Sequence, residues 1–128
     1  MGFDINISLV LGMCEETGKP FYYKYNKYTG VQKSYEIPNV EVPKELRPYL
    51  VGRGHIFHAY TKTFNERDVY ETSVEQFLEN FPSWDDVQAH ENYEEGECGW
   101  TEYDHENFKK LVEWCSVQDC SFRISWSY

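Results

Sequence analysis

The chain has 128 residues and a formal net charge of −10, and 18% of its residues are aromatic. This length fits a single domain, residues 1–128, that buries about two-thirds of the surface its unfolded chain exposes. The aromatic content argues against an intrinsically disordered chain, because disordered sequences are poor in rings. We therefore expect one globular domain with a core built more from rings than from aliphatic side chains.

Two turns divide the first part of the chain into three predicted strands. Apolar and polar residues alternate from Phe3 to Met13, which predicts a half-buried strand. Turn residues at 16–20 lead into a second predicted strand, Phe21–Tyr28, and a further turn leads into a third, Val31–Ile37. These strands are expected to form an antiparallel meander.

The next segment is rich in proline and then in aromatic residues. Three prolines between Pro38 and Pro48 limit that stretch to a short helical turn, at about Lys44–Leu50. The segment His55–Thr63 alternates two sets of side chains and predicts another strand.

Helical spacing takes over after residue 72. Ser73 begins a capping-box pattern, and the apolar residues that follow recur at helical intervals until Pro82 ends the helix. Ser83 starts a shorter helical turn that reaches about His90. The acidic segment Glu91–Gly99 is expected to be a surface loop.

The longest predicted helix and a final strand complete the chain. The helix runs from about Tyr103 to Val117, is capped by Thr101 or Asp104, and has a core face formed by Phe108, Leu111, Val112 and Cys115. Alternation over Phe122–Tyr128 predicts a strand paired inside the sheet. The fold class is therefore α+β: a mostly antiparallel sheet of about five strands, N- and C-terminal strands included, with two main helices packed on one face.

Charge is distributed very unevenly along the chain. Residues 68–108 contain thirteen of the 22 carboxylates and none of the twelve Lys and Arg side chains. Such a segment disfavours nucleic acid and anionic membranes as ligands of that face, and it favours basic proteins or cations. The alternative is a solvated face partly neutralised by the basic stretch 19–67 of the same chain.

The densest carboxylate cluster defines the predicted partner-binding residues, which are Asp85, Asp86, Glu91, Glu94, Glu95 and Glu97. Opposite potentials across an interface accelerate association and reject wrong partners. A more specific version is mimicry of a nucleic-acid backbone, whose phosphates are closely spaced negative charges.

No motif points to a metal, a cofactor or a catalytic group. His90, Cys98 and His105 carry ligand atoms that zinc accepts, but their spacing matches no zinc finger or HExxH arrangement. No calcium loop, GxSxG, HRD-type loop or P-loop is present. We therefore predict no metal site, no cofactor and no catalytic residues, and an enzyme is not the favoured interpretation.

The four cysteines form no CxxC motif, and the first residues do not resemble an export signal. Reduced thiols in a cytoplasmic protein are the expectation, although the sequence leaves their pairing and the oligomeric state open.

The aromatic strand Phe21–Tyr28 allows two interpretations. Tyr22 and Tyr28, beside Lys24 and Lys27, could form an exposed interaction platform, or the tyrosines could simply line cross-strand pairs. Basic residues between tyrosines would suit a groove for single-stranded nucleic acid, but the net charge of −10 argues against directly bound nucleic acid.

Three functional hypotheses follow from these patterns. The first is a small acidic protein-binding module, similar in its charge to inhibitors, immunity proteins, or phage and viral accessory proteins, with a basic protein as partner. The second is a small enzyme or ligand-binding domain with a pocket between the sheet and the C-terminal helix. The third is a homo-oligomer in which the basic stretch 19–67 meets the acidic face of a neighbour.

Overall fold

The computed structural model describes residues 6–9, 12–14, 16–90, 99–118 and 122–127. Within them the chain combines helices with antiparallel strands, which confirms the mixed α and β prediction. The strands are β1 (Asn6–Leu9), β2 (Gly12–Met13), β3 (Pro20–Tyr25), β4 (Gln32–Glu36), β5 (Val51–Arg53), β6 (Glu71–Ser73) and β7 (Arg123–Ser125). The α-helices are α1 (His58–Asn65), α2 (Val74–Glu79), α3 (Trp84–Ala89) and α4 (Glu102–Ser116).

The strands divide between two sheets rather than forming the single sheet of about five strands that the sequence suggests. The four-stranded sheet has the order β5-β1-β7-β6, and β7 pairs with both β1 and β6, as expected for a strand paired inside the sheet. The three-stranded sheet has the order β2-β3-β4. The predicted N-terminal strand supplies β1 to one sheet and β2 to the other.

One prediction is wrong, because His55–Thr63 is helical and not a strand. Residues His55–Phe57 form a 3-10 helix that continues into α1. The buried side chains of this segment are Ile56, Phe57, Tyr60, Thr61 and Phe64, and from Phe57 onward their intervals are those of a helix. Within α1, the Thr61 hydroxyl donates to the Phe57 carbonyl at 3.0 Å. The helical spacing of the buried side chains in 57–64 therefore describes this segment better than the alternation of side chains over 55–63.

The predicted helix starts agree with the structure. Ser73 Oγ accepts the backbone N–H of Gln76 at the start of α2, and Ser83 Oγ accepts that of Asp86 at the start of α3. At α4 the Asp104 carboxylate accepts the backbone N–H of Thr101 at 3.0 Å. These contacts satisfy backbone donors that the first turn of a helix leaves free.

A layer formed by α1, α2 and α4, here called the helical layer, packs its rings into one core. Phe108 on α4 lies 5.2 Å from the Tyr60 ring and 5.9 Å from the Phe77 ring, measured between centroids. All three side chains are at most 2% exposed. Gly52 on β5 is part of this packing, because a Cβ there would overlap the ring of Phe57. No helix in the described residues is both long and apolar enough to cross a bilayer.

The base of the three-stranded sheet is held by Arg47, which lies in the 3-10 helix Lys44–Tyr49. Its Nε donates to the Val42 carbonyl at 3.0 Å, its Nη1 to the Glu16 carbonyl at 3.3 Å, and its Nη2 to the Glu41 carboxylate at 2.7 Å. Gly18 (φ 68°) passes so close beneath the guanidinium that a Cβ would overlap it. Arg47 thus joins the turn before β3 to the segment after β4.

Candidate functional site

The predicted partner-binding carboxylates begin in α3. Asp85 and Asp86 occupy the first turn of this helix and are both exposed. The Ser83 cap fixes the start of the helix, where the positive end of the helix dipole favours acidic side chains. The other four predicted residues, Glu91, Glu94, Glu95 and Glu97, lie outside the described residues.

Most of the described carboxylates in the acidic segment 68–108 have no basic partner among the described residues. Two ion pairs join described residues, Arg47 with Glu41 at 2.7 Å and Arg123 with Glu71 at 2.6 Å. Only Glu71 belongs to the acidic segment, and neither pair joins that segment to the basic stretch 19–67. Exposed carboxylates of the segment outside these pairs are Asp68, Glu75, Glu79, Asp85, Asp86, Glu102 and Glu106.

A second exposed surface lies on the hairpin formed by β3 and β4, residues 20–36, here called the hairpin. Among the described elements, β3 and β4 pack extensively only against each other and β2. From Tyr22 to Tyr25 and from Gln32 to Glu36 the hairpin strands are exposed to solvent on both faces. Five of its tyrosines are 43–87% exposed, and they are Tyr22, Tyr23, Tyr25, Tyr28 and Tyr35.

One face of the hairpin combines rings with positive charge. Tyr22 is paired with Tyr35 across the strands, and their rings stack with centroids 5.5 Å apart and an interplanar angle of 24°. Lys24 is directly opposite Lys33 on the same face. The only carboxylate of the hairpin strands, Glu36, is paired with Phe21 and so belongs to the other face.

The turn at the end of the hairpin adds a further ring and a further charge. The Asn26 side chain accepts the backbone N–H groups of Tyr28 at 2.9 Å and Thr29 at 3.3 Å, an arrangement that fixes the turn. Lys27 Nζ lies 5.2 Å from the centroid of the Tyr28 ring. A shallow groove of about 720 Å³ runs beside this end, and its lining includes Lys24, Lys27, Lys33, Tyr25, Tyr28 and Tyr35.

The structure shows part of the geometry that each interpretation of this strand assumes. Tyr22 and Tyr28 are exposed beside lysines, as the platform interpretation expects, and Tyr22 also forms a cross-strand pair. Sequence reasoning missed Lys33 and Tyr35 as members of the same face. The signal that could have found them is the register of the hairpin, which places residues on either side of the turn opposite each other.

The polar groups proposed for a ligand pocket are used inside the core or lie elsewhere. His105 is 3% exposed, and its Nδ1 is 2.8 Å from the Tyr60 hydroxyl, which also accepts the indole N–H of Trp100 at 2.9 Å. Burial lowers the pKa of His105, because an apolar surrounding disfavours the charged ring. Burial likewise raises the pKa of Tyr60. His90 is partly buried, and Cys98 is outside the described residues.

The described part of the chain contains no group of three or more His, Cys, Asp or Glu side chains arranged to hold a metal ion. Comparisons with protein-family models, with curated proteins and with solved structures give no match for this chain. Function is therefore inferred from the chemistry of the two exposed surfaces.

Proposed function

We propose that this protein is a cytoplasmic protein-binding module that presents its carboxylate-rich surface to a basic protein. The proposed contact residues are Asp85, Asp86, Glu91, Glu94, Glu95 and Glu97. The mode of action is that of small acidic inhibitors or immunity proteins, which occupy a basic functional surface of their partner. Proteins of phage and viruses that act on host factors use the same charge complementarity.

The observation that supports this proposal is the exposure of Asp85 and Asp86 without ion pairs among the described residues. A face neutralised by the chain's own lysines and arginines would have little field left for a partner. In the described part of the acidic segment only Glu71 is neutralised in this way, by Arg123. Asp85 and Asp86 are therefore available to attract a basic surface and to accelerate its association.

The test is affinity capture with charge-reversal variants. Asp85→Lys combined with Asp86→Lys is expected to abolish capture of the partner, because two attractions become repulsions. Raising the salt from about 0.05 M to about 0.5 M is expected to weaken capture by the natural protein, since this range shortens the Debye length several-fold. A second variant reverses Glu94, Glu95 and Glu97 and tests the remaining cluster.

The matched control reverses Glu75 and Glu79, two exposed carboxylates on α2, and produces the same change in net charge. Its capture is expected to stay close to that of the natural protein. Circular dichroism of each variant verifies the fold. The proposal is rejected if both cluster variants capture the partner as well as the control, or if no partner shows salt sensitivity.

A small enzyme or ligand-binding domain has less support. Its pocket would use His105, but that ring is buried and hydrogen-bonded to the Tyr60 hydroxyl. The space around it is occupied by the rings of Phe81 and Trp84, with centroids 5.2 Å and 5.5 Å away. The enclosed His105 side chain therefore contributes to the packing of the helical layer.

A further inference from the structure

We propose that the hairpin binds single-stranded nucleic acid, with phosphates on its lysines and bases on its tyrosines. This site shares no residue with the carboxylate-rich surface and does not depend on the function proposed for that surface. Three properties of the hairpin support it: an uncompensated positive charge, exposed ring faces, and a groove in which both converge.

The positive charge of the hairpin has no carboxylate partner among the described residues. Lys24 and Lys33 are directly opposite each other, an arrangement that is unfavourable unless an anion lies between or above them. Neither they nor Lys27 take part in an ion pair that joins described residues. Residues 17–35 contain four lysines and no carboxylate. The hairpin is thus a local cationic site in an acidic protein.

The rings next to these lysines are available for stacking. The Tyr22 and Tyr35 rings stack on each other yet remain 44% and 43% exposed, so each also meets solvent. Tyr28 is 87% exposed. Unpaired bases stack on such rings irrespective of their sequence, while a double helix keeps its base faces covered. Exposed rings therefore favour a single strand over a duplex.

The groove brings the two chemistries together. Its lining contains three lysines and three tyrosines but no carboxylate. A polymer that alternates phosphates with planar bases matches both components, whereas an acidic protein segment would engage the lysines and leave the stacking surfaces unused. The net charge of −10 opposes this binding at long range. Salt screening limits that repulsion to distances of about 8 Å at physiological ionic strength.

The experiment measures fluorescence anisotropy of a labelled oligothymidine and a labelled oligouridine. Both are about ten nucleotides long, which is within the usual site size of one single-strand-binding domain. The full chain is titrated at several salt concentrations. The variant Lys24→Gln with Lys33→Gln is expected to bind at least about tenfold more weakly. Because each phosphate contact contributes about −0.7 to the slope of log K against log salt, its slope should be shallower by about 1.4.

The matched control is Lys109→Gln with Lys110→Gln, which removes two exposed lysines from α4. It is expected to bind within about threefold of the natural protein, and its salt slope should be unchanged. A second variant, Tyr28→Ser, removes a ring without changing charge. It should weaken binding while preserving the salt slope, which separates stacking from electrostatics.

Four outcomes would overturn the proposal. They are no anisotropy change at about 0.05 M salt, equal losses in the hairpin variant and the α4 control, tighter binding of a duplex of the same length, and tighter binding of a polyglutamate peptide. Light scattering tests whether the chain self-associates. If self-association is salt-sensitive and the hairpin variant abolishes it, the hairpin binds a second copy of the chain and the proposal is wrong. Protein capture by the carboxylate-rich surface should be unaffected in the hairpin variant, so the two proposals can fail separately.

Discussion

In the hairpin five tyrosines are 43–87% exposed, whereas in the helical layer the rings of Tyr60, Phe77 and Phe108 are at most 2% exposed. The two regions also differ in charge. The hairpin carries lysines with no carboxylate on the same face, and α3 begins with two exposed carboxylates in a segment without lysine or arginine. Rings thus stabilise the fold in one region and are offered to solvent in the other.

This contrast identifies where the protein can tolerate change. Burying a ring removes a large apolar area from water and stabilises the folded state, and that stabilisation is absent when the ring remains exposed. Exposed aromatic rings are enriched in surfaces that meet another molecule. The comparison therefore leads to predictions about stability as well as binding.

The largest expected effect is the difference in stability between a variant that loses a ring of the helical layer and a variant that loses a ring of the hairpin. Phe108→Ala should lower the free energy of unfolding by about 3–5 kcal/mol, because it opens a cavity between Tyr60 and Phe77. Tyr25→Ala should lower it by less than about 1 kcal/mol, the span of strand propensities. Urea unfolding followed by circular dichroism measures both. Similar losses in the two variants would show that the hairpin is part of the core.

An intermediate effect is expected from acidification, which acts on the helical layer and leaves the hairpin lysines charged. The pKa of His105 is lowered by burial, so the unfolded chain binds its proton more readily than the folded one. The contribution of uncharged His105 to the free energy of unfolding is therefore fully present above the unfolded-state pKa of about 6.5. It is lost as the pH falls below that value. Asp104 also has a lowered pKa, because hydrogen bonds from Tyr49 and Thr101 outweigh its burial, and it extends the loss to lower pH.

Urea midpoints at about pH 7.5 and about pH 5.5 bracket the histidine range. The variant His105→Phe should show a smaller difference between these midpoints than the natural protein, whatever its absolute stability. His55→Gln serves as the control, since this ring is not fully buried. An unchanged pH difference in the His105 variant would assign the acid sensitivity to other groups.

The smallest effect concerns the opposed lysines and separates stability from binding most sharply. Lys33→Glu replaces a like-charge pair with Lys24 by an opposite-charge pair, which should stabilise the hairpin by about 0.2–1 kcal/mol. The same change should abolish oligonucleotide binding. A rise in the thermal unfolding midpoint together with lost anisotropy is the expected result. A variant that is both less stable and still able to bind would contradict the register argument.

Local signals were enough to predict α4 within one residue at each end. Thr101 and Asp104 mark its start, and its apolar positions Phe108, Leu111 and Val112 are all buried as the helical period requires. The strand prediction for 55–63 is wrong because the side chains of this segment fit two periods. The burial of Phe57, Tyr60 and Phe64 in the core favours the helical one. The division into two sheets depends on pairing between distant strands, which local patterns do not specify.

The candidate surfaces also depend on contacts between distant residues that local sequence patterns do not specify. The sequence indicated Asp85 and Asp86 through charge density, and both are exposed in the structure. It also indicated Tyr22 and Lys24, but their stacking and charge partners across the hairpin follow from the strand register. Charge density along the chain is thus readable from the sequence, while its compensation across strands requires the fold.

Arg47 joins segments of the chain on either side of the hairpin. Its guanidinium links the turn before the hairpin, the segment after it and a 3-10 helix, and the planar fork that reaches three acceptors has no equivalent in lysine. Replacing it is expected to loosen the base of the hairpin and would leave every residue of both proposed binding surfaces unchanged. Oligonucleotide affinity would then report on the support of the hairpin even though no proposed contact residue has changed.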